Sequence, residues 1–92
     1  MKKITYSPFP VFPGETLLEV LQDRKMTQAH LARLMKRPLK LVNEIVKGKA
    51  GITPETALQL GHVLDMEPEF WWKLQTDFDM ACARGKVALN SL

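Results

Sequence analysis

Lys40, Asn43 and Lys47 recur at i, i+3 and i+7, with Leu39 beside the first of them. On a helix that spacing lines an ammonium, a carboxamide and a second ammonium along one face. These groups donate and accept hydrogen bonds. Lys40 can donate to guanine O6 and N7 or to a phosphate. Asn43 can pair bidentately with adenine, and an exposed Leu39 can touch a thymine methyl. Lys47 and Lys49, further along, suit the sugar–phosphate backbone. So does Gln28, which opens the preceding helical segment, where backbone amides also point at an anion. Lys36 and Arg37, between the two segments, can reach phosphate as well. Glu44 lies four residues from Lys40 and could pair with it, or stand beside it as a discriminator against wrong bases.

Other chemistries find little to work with. The chain has no Gly-rich phosphate loop and no pair of His or Cys residues at ligand spacing. His30 and His62 are isolated from one another, and His30 reads as a solvent-facing residue. Asp77 and Asp79 stand at i, i+2, which on a helix points them to different sides, so they read as solvated charges. The single Cys82 allows neither an internal disulfide nor a cysteine-rich zinc site. The expectation is a protein that is not an enzyme and carries no metal and no cofactor.

The 92 residues set the scale for the elements that must hold these groups: one small domain. An apolar fraction of 46% and a charged fraction of 25% are those of an ordinary globular protein. Apolar runs are too short to span a membrane. Lys2 and Lys3 have no apolar stretch behind them, so no secretory signal is expected, and the chain reads as cytosolic. The net charge of +3 is unevenly spread. Residues 24–49 hold eight basic residues against Glu44, a local charge of +7, or +6 if Asp23 is counted with them. Residues 1–23 sum to −1 and residues 50–92 to −3. A basic middle on a mildly acidic chain favours a polyanionic partner. Solvated charges clustered by chance are the plain alternative.

The periodicity predicts five helices and no strand. Pro8, Pro10 and Pro13 keep residues 1–13 extended as an arm. Leu17, Leu18 and Leu21 give an amphipathic helix over Glu15–Lys25. Thr27 caps a second helix, Gln28–Met35, with Leu31, Leu34 and Met35 on its apolar face. Pro38 suits the first turn of a third helix, Val42, Ile45 and Val46 its apolar face, and Gly48 its end. Thr53-Pro54-Glu55 starts a fourth with Ala57, Leu58, Leu60, Gly61 and Leu64 as its buried stripe, ending at Asp65. Pro68-Glu69 starts a fifth, striped by Trp71, Leu74, Phe78 and Cys82 and ending near Arg84. Two short helices meeting across a turn of about four residues, the second of them basic, form a helix-turn-helix whose second helix enters the major groove.

Four stretches together resemble one family. They are Pro13-Gly14-Glu15; Arg37-Pro38-Leu39-Lys40 with Asn43-Glu44-Ile45 and Gly48-Lys49; Ile52-Thr53-Pro54-Glu55-Thr56-Ala57; and Pro68-Glu69-Phe70-Trp71 with Leu74-Gln75 and Phe78-Asp79. In this order and spacing they are similar to the HigA-type antitoxins, a branch of the Cro/C1-repressor (XRE-like) helix-turn-helix proteins, over about residues 12–84. The resemblance implies an all-α, five-helix, lambda-repressor-like domain at 14–84 behind the arm 1–13, with 85–92 a frayed tail. It implies a homodimer that binds an operator palindrome in double-stranded DNA and represses its own operon. It also implies neutralisation of a small mRNA-cleaving toxin of the HigB/RelE-like class, in the bacterial cytoplasm and on the nucleoid when bound to DNA. Gln28 and the face of Leu39, Lys40 and Asn43 would read the operator, and the Phe70/Trp71 stripe would be packing. A stand-alone repressor without a toxin, and a helical protein-interaction module, are the other readings.

The chain departs from the family pattern in three places. Phe12-Pro13-Gly14 replaces the usual His-Pro-Gly, Lys36 the glycine common in the turn, and Arg37 a small apolar residue. The turn is thereby more basic and better suited to the DNA backbone. Trp72 sits off the main stripe of its helix. It and the arm from Phe9 to Phe12 are expected near a dimer or toxin interface, the alternative being that Trp72 covers the first helix.

Overall fold

A computed structural model describes residues 11–90 of the chain, with side chains described through Gly85. Five α-helices follow in order: α1 Pro13–Asp23, α2 Gln28–Met35, α3 Leu39–Val46, α4 Pro54–Leu64 and α5 Pro68–Asn90. No strand occurs among the described residues. The all-α, lambda-repressor-like class expected from the sequence is the fold observed. No described helix is long and apolar enough to cross a membrane.

Local chemistry explains most of the helix ends. The Thr27 hydroxyl accepts the His30 backbone N–H at 3.0 Å and closes the head of α2. The Thr53 hydroxyl does the same for Thr56 N–H at 3.2 Å, and Pro54 behind it occupies the first helical position, where a missing N–H leaves nothing unpaired. Lys36 and Asp65 end α2 and α4 in the left-handed conformation, φ 58° and 55°. Gly48, at φ 75°, follows the last turn of α3 in the conformation its lack of a Cβ favours. Pro38 stands one position earlier than expected. It is the N-cap of α3, extended at ψ 143°, rather than its first helical residue.

The core joins Leu17 and Leu21 of α1, Leu31, Ala32 and Met35 of α2, Val42 and Ile45 of α3, Ala57, Leu60 and Leu64 of α4, and Trp71 of α5, with Ile52 from the α3–α4 loop. Leu34 and Leu58 were expected inside and are not, being 46% and 62% exposed. The helical turn explains both. The buried arc of α4 is Thr56, Ala57, Leu60, Gly61 and Leu64. At about 100° per residue Leu58 stands about 130° from that arc's centre. In α2, Ala32 occupies the core side and Leu34 falls at the edge. Phe70 is likewise exposed rather than packed, although its ring meets Trp71 edge-on at 5.2 Å. Helix α5 also runs on past Arg84 to Asn90, so residues 85–90 are helical rather than frayed.

One backbone contact sets where α3 lies. A Cβ built on Gly14 would stand 1.9 Å from the carbonyl oxygen of Ile45 and 2.9 Å from the Cα of Val46. Only glycine lets the head of α1 rest directly on the last turn of α3.

Candidate nucleic-acid interface

The helix-turn-helix is α2, the turn at Lys36–Pro38, and α3. Val42 and Ile45 anchor α3 in the core, and its opposite side is left to solvent. That side presents Leu39, 50% exposed, and Lys40, also exposed, with Asn43 half-buried behind them. Asn43 does not stand alone. Its Nδ2 donates to Gln28 Oε1 at 3.2 Å, joining α3 to the first residue of α2.

The bond leaves both amides useful. Asn43 has a second Nδ2 hydrogen and its Oδ1, the donor–acceptor pair that adenine N7 and N6 require. Gln28 has its own –NH₂ for an anion. The pair therefore holds the Asn43 amide in place against that of Gln28. The sequence placed these residues separately, and their contact depends on how α2 and α3 cross.

Around this pair the basic residues occupy different settings. Lys36 is exposed on the left-handed turn. Lys47 and Lys49 are exposed on either side of Gly48, where α3 gives way to the loop. Backbone N–H groups of Lys49 and Ala50 both donate to Glu44 carbonyl oxygen, at 2.8 and 3.1 Å, and fold that loop back on the helix. Arg37 differs from expectation. It is half-buried, and its Nη1 turns to α4, donating to Gln59 Oε1 at 2.9 Å with Glu55 Oε1 at 3.7 Å. A phosphate would share this guanidinium with α4. Lys40 and Glu44 form no ion pair among the described residues.

The two aspartates also separate. Asp77 pairs with Lys73 at 3.0 Å on the exposed side of α5, a contact of little energetic weight. Asp79 accepts from Gln75 Nε2 at 2.9 Å. Gln75 was given no role of its own in the sequence reading. It is 8% exposed, and its Oε1 accepts the Ile52 backbone N–H at 2.6 Å.

Of the residues expected at a protein interface, Trp72 and Phe12 line different clefts. Trp72 is 40% exposed and lines a cleft of about 290 Å³ with Pro54, Ala57, Leu58, Pro68 and Glu69. It lies beside the head of α4. Phe12 is half-buried and packs within the chain, its ring edge-on to Phe78 at 6.4 Å and 77°. Phe9 lies outside the described residues.

Searches against family models return no match. Individual proteins do match. The chain is 30% identical over 80 residues to YddM, an HTH-type transcriptional regulator of Escherichia coli K12, covering 87% of this chain and 85% of the relative. Its fold is similar to that of Pseudomonas aeruginosa antitoxin HigA, solved with the higBA promoter. The TM-score is 0.84 at 34% identity, over 89% of this chain and 90% of that one. Antitoxin GraA in complex with its operator superposes with a TM-score of 0.78 at 34% identity, over 98% and 95% of the two chains.

Proposed function

The chain belongs to the HigA-type antitoxins of the helix-turn-helix regulators, and from that footing we propose that it binds an operator upstream of its own operon as a dimer and represses it. The antitoxin half of the proposal is that it binds and neutralises a small mRNA-cleaving toxin of the HigB/RelE-like class. Both activities belong to the cytoplasm, with the protein on the nucleoid when DNA-bound. Neither calls for a catalytic residue, a metal or a cofactor.

The observation that carries the DNA reading is the Gln28–Asn43 bond beneath an exposed Leu39 and Lys40. Leu39, Lys40 and Asn43 are assigned to base edges in the major groove. Gln28, Lys36, Lys47 and Lys49 are assigned to phosphates, with Arg37 contributing N–H groups beyond the one given to Gln59. A dimer would present two such helices about one DNA turn, roughly 34 Å, apart, which matches a palindrome. The two structural neighbours solved with promoter or operator DNA support the same reading. Trp72 and its cleft are assigned to a protein partner, the second protomer or the toxin.

The test is a titration of the chain against DNA from upstream of its own gene and against shuffled DNA of the same length. Clear preference for the upstream duplex is expected. Equal weak binding to both would remove specific repression. For the antitoxin half, growth arrest by the product of the adjoining gene should be relieved by co-expressing this chain.

A further inference from the structure

We infer that Gln75, on α5, is a positioning residue for operator binding, fixing the α3–α4 loop that carries Lys47 and Lys49; the inference rests on the DNA-binding reading above. The first half of this loop is held by α3 itself, through Glu44 and Ile45 carbonyl oxygens. Its second half has left α3 and has not yet entered α4. There the buried Ile52 N–H donates to Gln75 Oε1, from a residue 23 positions on. A buried amide without an acceptor is costly, so the loop settles where Gln75 meets it.

The side chain is itself held. Gln75 Nε2 donates to Asp79 Oδ1, one turn along α5, which leaves Oε1 turned to the loop. Gly51 passes so close that a Cβ there would lie 3.2 Å from Gln75 Oε1. On the other side Phe78, also on α5, supports Phe12, whose ring lies against Gly48. One turn of α5 thus grips the loop at Gly48 and again at Gly51–Ile52. The two lysines proposed to meet phosphate flank Gly48. Gln75 touches no DNA in this arrangement. It acts through the backbone that aims those lysines.

Three variants test this in the full chain: Gln75→Leu, which removes the acceptor in similar volume; Gly51→Ala, which presses a Cβ on the amide; and Gln75→Glu with Asp79→Asn. In the last, the carboxylate still accepts Ile52 N–H and takes a hydrogen bond from the new amide at 79. The probe is the upstream duplex that wild type binds, titrated over a range of salt, with Ile52 amide exchange followed by NMR. Gln75→Leu should speed Ile52 exchange, weaken operator binding about tenfold, and flatten the salt dependence by about one to two phosphate contacts. The double variant should restore all three readings, and Gly51→Ala should shift them the same way as Gln75→Leu, more mildly. If Gln75→Leu does not fold, Gly51→Ala and the double variant decide. Wild-type affinity and salt slope in a folded variant with fast Ile52 exchange would overturn the inference. So would a double variant that restores exchange and not affinity, or a loss of affinity at unchanged slope, which marks general loosening. Failure of wild type to prefer the upstream duplex would instead overturn the DNA reading.

Discussion

Asn43 Nδ2 sits 3.2 Å from Gln28 Oε1, so the face of α3 and the head of α2 meet through one hydrogen bond between two carboxamides. The bond makes the proposed base reader and the proposed phosphate contact a unit. Replacing Asn43 with alanine removes the proposed base-edge contact and frees Gln28 from its partner. Operator affinity should fall by about 1–3 kcal/mol, with relaxed selectivity at one base position. Gln28→Ala should weaken binding less. The double variant should lose less than the two single losses added, because each single change already breaks the shared bond. Anisotropy titrations on wild-type and single-base-changed duplexes measure all of these, and strict additivity would show that the two residues work independently.

Lys47 behaves differently if it meets the DNA backbone. It is exposed at the end of α3. Lys47→Ala should weaken binding to all duplexes alike and lower the slope of log affinity against log salt by about one. A loss concentrated on one operator base would reassign Lys47 to base reading.

How much of this could be read from the chain differs by element, for physical reasons. The heads of α2 and α4 were legible because Thr27 and Thr53 act on amides three residues away, within one local window. Leu39, Lys40 and Asn43 were legible as an outward face because Val42 and Ile45 mark the inward one. Leu34 and Leu58 were misplaced because apolar spacing defines a stripe without saying which arc a neighbouring helix covers. The end of α5 was set too early at Gly85, where glycine costs an exposed helix only about 1 kcal/mol and nothing lies within 4 Å of it. The contacts that hold Gln75 and Arg37 left no trace, since their partners, Ile52 and Gln59, lie 23 and 22 residues away and meet them only in the folded chain.

Lys36 sets stability against binding. Its left-handed backbone, φ 58°, is strained for a residue with a Cβ. Lys36→Gly should relieve about 1 kcal/mol and raise the melting temperature by about 4–8 °C in a domain of this size. The same change removes a cation from the turn, so operator affinity should drop and its salt dependence flatten. Calorimetry and titration on one preparation check both signs. A gain in stability without loss of binding would take Lys36 out of the phosphate set.

Gly14 tests the placement of α3 from the other end. A methyl at this position meets the Ile45 carbonyl oxygen and the Val46 Cα, both backbone atoms that no rotamer change can move aside. Gly14→Ala should cost about 3 kcal/mol or more, by overpacking. Urea unfolding measures it. Any folded fraction should show shifted amide resonances in α3 and loss of operator preference, because the reading face moves with the helix end.

Trp72 separates partner binding from folding. Its indole is 40% exposed beside Leu58, and the two give α4 and α5 an apolar margin away from the buried stripe of Trp71. Truncation there removes little core packing, so Trp72→Ala should keep the helical content and melting behaviour of the parent. As an aromatic anchor in a desolvated contact it should carry about 2 kcal/mol or more of partner affinity. Sedimentation velocity reads the dimer, and co-purification with the adjoining gene's product reads the toxin. Loss of one complex with retention of the other assigns the cleft. Loss of the dimer should also weaken operator binding, since one small domain holds a half-site poorly. Loss of the toxin complex alone should leave operator binding by the free antitoxin intact. A folded Trp72→Ala that keeps both complexes would place the partner surfaces elsewhere.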